Sequence, residues 1–353
     1  MEAMRMPALL AALFAGLAPL PAKADLPDIA QALVRHPAIP GAAVGWVSPR
    51  GQDVAVAGVR RSDADAPVEA ADLWHLGSLT KSMTATLAAR MVDAGAVDWS
   101  TPIGAVLGPV VPDMRQEWRD VTLEELLRHA SGMRANLGML AALRLGDGPR
   151  SAYVAKVVGQ APRPARGGFH YSNAGYVVAG ALLEVAGGAP WEMLISEHVF
   201  RPLGMDSAGF GPPLGAQPAG HRMSLLGGPR PVPPGPRADN ISALGPAGRV
   251  HVSTPDMLRY LAAHARRDPD FLSAESWARL HRADGPGSYA LGWVAVDGIL
   301  RHSGSNTMWF ANARVDPARG CAGFVAVNAA AMGLVDGPVG AAGDAVLRLA
   351  CGD

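Results

Sequence analysis

Lysine is nearly absent from this chain. It stands only at positions 23, 81 and 156 of 353 residues, and every other basic residue except histidine is arginine. Generic surface charge therefore does not account for a lysine here. Net charge is lacking as well: 31 basic and 31 acidic side chains leave a formal +0, which points away from nucleic acid and from an anionic membrane surface as partners. There are two cysteines, Cys321 and Cys351. They fit either a disulfide formed in an oxidising compartment or two buried thiols. No Cys/His grouping has zinc-ligand spacing, so neither a metal nor a cofactor is expected. Internal repeats and low-complexity tracts are missing. No apolar run beyond residue 24 reaches membrane-spanning length.

The first 24 residues read as a secretory signal. Arg5 gives a short basic start, Pro7 to Leu20 is apolar, and Ala22-Lys23-Ala24 puts small residues where a signal peptidase cuts. The mature chain is then expected to begin at Asp25, and no cysteine stands there for a lipid anchor. Residues 25–353 are long enough for one large domain or two intimate ones. With 49% hydrophobic and 18% charged residues they can bury a sizeable core.

Along the chain, a short helix is expected over Ile29 to Arg35. Strands follow over Gly41 to Val47 and Asp53 to Gly58, joined by a turn at Ser48 to Gln52. From about residue 98 to 263 helical patterns dominate. One begins near Val121, with Thr122 and Glu125 at capping-box spacing, and others cover Tyr176 to Val185 and Trp191 to Phe200. Gly211 to Arg249, rich in Pro and Gly, reads as a long ordered loop. Strand patterns return at Tyr289 to Val296, Asn312 to Val315 and Gly323 to Asn328, before a helix over Pro338 to Leu349. This order predicts an α+β fold, with a helical region inserted into a sheet region.

Three short segments carry chemistry. Ser78-Leu79-Thr80-Lys81 sits where an extended segment gives way to a helical pattern, with apolar residues at 83, 87, 88, 91 and 92. Three residues apart on a helix, Ser78 and Lys81 are neighbours. A serine hydroxyl needs a base to become a nucleophile, and an amine with a depressed pKa can serve. Read alone, the segment equally fits a helix cap followed by a solvated lysine. Tyr171-Ser172-Asn173 precedes another helical pattern. A phenolate beside Lys81 would be a second base, its pKa lowered by the neighbouring cation. Asn173 offers an amide to a substrate carbonyl or to the lysine; a structural Tyr and a helix cap are the plain alternative. His302-Ser303-Gly304 appears at the opening of a strand, where glycine permits close backbone approach. The N–H groups of Ser78 and Ser305 would then pair as an oxyanion hole; a loop between strands is the alternative.

With these motifs in view, the chain resembles the serine β-lactamase and penicillin-binding protein superfamily, in its class C β-lactamase-related branch of DD-carboxypeptidases, D-aminopeptidases and esterases. Ser78-x-x-Lys81, Tyr171-x-Asn173 and His302-x-Gly304 occur in the family's order, with family-like segments between them at 126–133, 202–205, 253–257 and 289–293. The resemblance covers about residues 28–350. It implies an antiparallel sheet flanked by helices and acyl transfer through an ester on Ser78. Lys81 and Tyr171 would handle the proton, and Asn173, His302, Ser303, Gly304 and Ser305 would bind or position the substrate. A small molecule or a peptide, peptidoglycan-derived fragments included, would be the substrate, in the periplasm or outside the cell. His129 and Ser131 are expected to be structural supports, and no glutamate stands in an obvious position to drive the second step.

One departure stands out. The superfamily's β-lactamases and transpeptidases carry Lys where this chain has His302. A protonated His302 would replace that cation only at low pH, so turnover of carboxylate-bearing substrates is expected to weaken as His302 deprotonates.

Overall fold

The computed structural model of the chain describes residues 24–353 except 164, 225, 226, 236, 237, 331, 332 and 334. The expected signal segment, up to residue 23, lies outside the described residues. Eleven strands are present among those described: β1 Gly41–Ser48, β2 Gly51–Gly58, β3 Leu73–His75, β4 Gly209–Phe210, β5 His221–Ser224, β6 Gly227–Pro231, β7 Val250–Ser253, β8 Val294–Val296, β9 Ile299–Ser305, β10 Phe310–Asp316 and β11 Cys321–Val327. Five helices frame them: α1 Leu26–Val34, α2 Thr80–Asp93, α3 Asn173–Gly187, α4 Thr254–Arg266 and α5 Asp336–Cys351.

The main sheet runs β2-β1-β11-β10-β9-β8, every pair antiparallel. Strands β1 and β11 are apolar on both faces because each face meets a core. Ala42 and Val44 of β1 and Val325 and Val327 of β11 pack with α1 and α5. Their neighbours Ala43, Val47, Phe324 and Ala326 join the larger core shared with α4 and the helical region. Alternate side chains of one strand thus supply two cores. Asp25 caps α1 through a reciprocal pair with Asp28, and Cys321–Cys351, with Cα atoms 5.5 Å apart, ties the start of β11 to the end of α5. The chain re-enters the sheet region at Thr254, since α4 packs directly on β1 and β11.

Several boundaries differ from the sequence expectations. Ser48 pairs with Gly51, so the hairpin turn is only Pro49-Arg50, and Gly51 takes the positive φ that a turn this tight needs. The Gly211 to Arg249 stretch holds the β5–β6 hairpin and the short helical segment Gly245–Gly248 rather than a continuous loop. Of Tyr289 to Val296, only Val294–Val296 is strand. Gly292 turns the chain at φ +78, pressed so closely on α2 that a Cβ would stand 2.5 Å from Ser82 Cα. His302-Ser303-Gly304 lies at the end of β9, not at its opening. The capping box at Thr122 is present and starts the helix Leu123–Leu127. Among the described residues no single helix is long and apolar enough to cross a membrane.

Candidate active site

Ser78 lies in a single tight turn, Gly77–Leu79, between β3 and α2. Two glycines let the end of β9 close on that turn, backbone against backbone. A Cβ on Gly77, whose φ is +52, would overlap the Ser305 nitrogen, and one on Gly304 would stand 2.5 Å from the Ser78 nitrogen. The amides of Ser78 and Ser305 therefore come together at one cleft of about 200 Å³, which Asn136, Asn173 and Asn240 also line.

Helix α2 is buried along one end on all sides: every residue from Thr80 to Ala89 is inaccessible. Its polar side chains find partners locally. Ser82 Oγ donates to Leu79 O at 2.8 Å and Thr84 Oγ1 to Pro246 O at 2.7 Å. Lys81 is enclosed with them. Its Nζ lies 2.9 Å from Ser78 Oγ and donates to Ala247 O at 2.6 Å. The ring centroid of Tyr171 is 4.9 Å from the amine and that of Tyr176 5.7 Å. Burial holds the Lys81 pKa well below its ordinary value, so the group gives up its proton more readily than an exposed lysine does.

Tyr171 reaches the same point from the stretch before α3. Burial pushes its phenol up to about 12, and a hydrogen bond with Ser78 offsets only part of that. The expected phenolate is thus overturned. Desolvation is the larger effect, and a phenol near 12 keeps its proton at neutral pH. Asn173, the first residue of α3, binds Asn136 through Nδ2 at 2.9 Å and faces the cleft, not the lysine. Ser303 is exposed and accepts from Asn312 Nδ2 at 2.8 Å.

His302 does not supply the expected cation. Its ring is buried, Nδ1 lies 2.7 Å from Ser303 O and Nε2 3.1 Å from the Tyr289 hydroxyl. A carbonyl can only accept, so Nδ1 carries the hydrogen and Nε2 accepts from Tyr289. Burial is the main cause that lowers its pKa to about 3. A ring with so low a pKa is neutral near neutral pH, which argues against His302 as the cation for a substrate carboxylate.

Other residues of the site carry weaker sequence signals. His129 stands at φ +60 and accepts from the Ser172 N–H at 3.0 Å, with its ring 4.4 Å from that of Tyr171. It supports Tyr171 directly, and burial lowers its pKa to about 2. His75 accepts from the Gly77 N–H at 3.1 Å and meets Asp239 at 3.0 Å through Nε2. Asp239 also accepts from Arg249 at 3.0 Å and from the Asn240 N–H at 2.7 Å. This buried chain ties the Ser78 turn to the segment bearing Asn240. The Ala247 carbonyl comes from Gly245-Pro246-Ala247-Gly248, where small residues permit backbone approach to α2, a signal present in the sequence but silent about its target.

Comparisons with known proteins bear on the family and the fold. A protein-family model described as Beta-lactamase matches residues 26–339. Penicillin-binding protein 4 of Amycolatopsis lactamdurans is 28% identical over 314 residues, covering 82% of this chain and 81% of that protein. The unguisins hydrolase of Aspergillus campestris is 29% identical over 252 residues, 63% of this chain and 45% of its own length. The chain spans no more than 56% of the other curated relatives it matches. The octameric penicillin-binding protein homologue from Pyrococcus abyssi superposes with a TM-score of 0.77 at 22% identity, over 91% of this chain and 75% of that one, a likeness of fold. The family model spans the turn of Ser78, the stretch of Tyr171 and the end of β9 alike, and the chain belongs to the β-lactamase family of serine hydrolases.

Proposed function

We propose that the chain is an exported serine hydrolase that cleaves an amide or ester through an acyl-enzyme on Ser78. The contact that carries this reading is the 2.9 Å approach of Lys81 Nζ to Ser78 Oγ, at a lysine whose pKa burial lowers. With one N–H held by Ala247 O, the amine directs its lone pair at the serine. Ser78 Oγ attacks the substrate carbonyl carbon and its proton passes to Lys81 Nζ. The oxyanion that forms sits at the backbone N–H groups of Ser78 and Ser305. Collapse breaks the bond to the leaving group, which takes a proton from the Tyr171 phenol, and Lys81 returns its proton to Tyr171. Water then attacks the ester carbonyl carbon and its proton passes to Lys81 Nζ; collapse breaks the bond to Ser78 Oγ, which takes that proton back as the acid product leaves.

Asn173, Asn136 and Asn240 give the cleft amide donors and acceptors suited to a peptide-like substrate, such as a peptidoglycan-derived fragment, or to another small amide. The Cys321–Cys351 disulfide favours the periplasm or the exterior over a reducing cytosol. In this reading residues 25–353 act as one hydrolase unit, with the helical stretch from roughly 98 to 263 inserted in the sheet region. A carboxylesterase would use the same groups.

Exposure to a fluorophosphonate or a fluorescent penicillin is expected to label the wild type at Ser78, and Ser78→Ala is expected to show no label with an unchanged circular dichroism spectrum. Labelling that persists in Ser78→Ala would place the nucleophile elsewhere. A stable adduct that releases no product would instead mark a sensor of such compounds.

A further inference from the structure

One face of the β9–β10 pair changes character along its length. Ser305, Ser303 and Arg301 alternate along β9, opposite Phe310, Asn312 and Arg314 of β10. Ser305 lines the cleft of Ser78. Ser303 and Arg301 line a second cavity of about 470 Å³, which also holds Tyr171, Asn312 and Arg314. Tyr171 contacts Ser78 on one side and this cavity on the other, so the two spaces adjoin.

Arg301 and Arg314 stand directly across the ladder from each other, a like-charge pair that disfavours the sheet. Arg314 is 5% exposed, its guanidinium pushed down to about 10 by burial and by the nearby charges of Arg301 and Arg348. It is held by Asp344 and by Gly340 O. Arg301 has no ion pair among the described residues, and its Nε is buried without a hydrogen-bond partner. Asp344 thus accounts for Arg314 and leaves the charge of Arg301 uncompensated. Evolution of a folded sheet does not require such a pair, and a salt bridge or an aliphatic side chain would be less costly at this place.

We infer that Arg301, backed by Arg314 and Asn312, binds a carboxylate on a distal arm of the substrate. One free guanidinium suits one singly charged, planar acceptor, which it can grip with two parallel N–H donors. Arg301 stands four positions before Ser305 on β9, about 13 Å at the rise of a β-strand. That backbone spacing sets the scale of the separation between carboxylate and reacting carbonyl, so the preferred substrate is an extended, peptide-sized acyl compound rather than a small compact one. This inference rests on the hydrolase reading and deepens it. The cation that His302 does not provide is supplied further along the same strand.

The test uses the full chain and p-nitrophenyl monoesters of linear dicarboxylic acids from short to long, each beside its neutral ω-methyl ester. The wild type is expected to prefer the free acid over the methyl ester by roughly 10- to 100-fold in kcat/KM, only for arms long enough to reach Arg301. The preference is expected to shrink in high salt. Arg301→Gln is expected to abolish it while leaving the methyl-ester rate within about twofold, since neutral arms make no charged contact. Arg301→Lys is expected to retain part of it. No preference at any arm length, or a preference that survives Arg301→Gln, would overturn the inference while Ser78-dependent turnover of the methyl esters still stood. Failure to turn over either series would instead count against the hydrolase reading.

Discussion

A lysine amine enclosed by aromatic rings, a backbone carbonyl and a serine, with no carboxylate against it among the described residues, holds its proton poorly, and Lys81 is in that position. Arginine in its place would stay charged at any working pH. Lys81→Arg is therefore expected to slow acylation of Ser78 by about 10²- to 10⁴-fold, read as the second-order rate of fluorophosphonate labelling; a rate within a few-fold of the wild type would remove Lys81 as the base. His302 gives an opposite expectation. Neutral down to about pH 3, it contributes no step to the rate profile near neutrality. The profiles of wild type and His302→Gln are expected to have the same shape between about pH 5 and 8. A wild-type step near pH 6.5 that vanishes in His302→Gln would show that the ring titrates after all. At this scale the sequence was legible in identity but not in state. The scarcity of lysine singles out Lys81, but the charge of Lys81, Tyr171 and His302 depends on burial, and burial comes from packing by segments far away in the chain.

Between elements, the contact that matters most is the end of β9 on the turn before α2. Gly304→Ala would force a methyl group into the backbone of Leu76 and the Ser78 nitrogen. Overpacking of this kind costs about 1–3 kcal/mol or more, and here it separates the Ser78 and Ser305 amides. A lower Tm together with loss of Ser78 labelling is the expected result, while a variant with wild-type labelling would contradict the close approach. Elements were legible where local pattern and tertiary environment agree. Thr122 and Glu125 form the capping box that their spacing announces, and the apolar runs of β1 and β11 are strands buried on both faces. They were illegible where a glycine bends the chain for the sake of a distant partner. Gly292 cuts the strand pattern from Tyr289 short because α2 lies against it. Likewise β5 and β6 pair within a Pro/Gly-rich stretch that has no periodicity to betray them. His129 and His75 act through Ser172 and Asp239, partners 43 residues away in one case and in a separate loop in the other.

At the scale of the molecule, the sheet is assembled from both ends of the chain, and the Cys321–Cys351 bond fastens its last helix to its centre. A closed loop with a sequence separation of 30 contributes about 3–4 kcal/mol by restricting the unfolded chain. Cys351→Ser is expected to lower the denaturation midpoint accordingly without altering Ser78 labelling, because the bond lies on the α5 side of the sheet and away from the cleft. Equal midpoints with and without a reducing agent would mean the bond contributes nothing. The site itself depends on the whole assembly, since α2, the segment before α3, the loop before β7 and the end of β9 each bring one part. The most direct measurement is the rate of covalent modification at Ser78 by a fluorophosphonate as a function of pH, with the modified residue identified by mass spectrometry. The rate is expected to rise through a single limb well below 10.5, the ordinary value for a lysine, and then stay level until the Tyr171 phenol ionises near 12. A rate that climbs only through 10.5, or an adduct on any residue other than Ser78, would contradict an uncharged Lys81 as the activator of this serine.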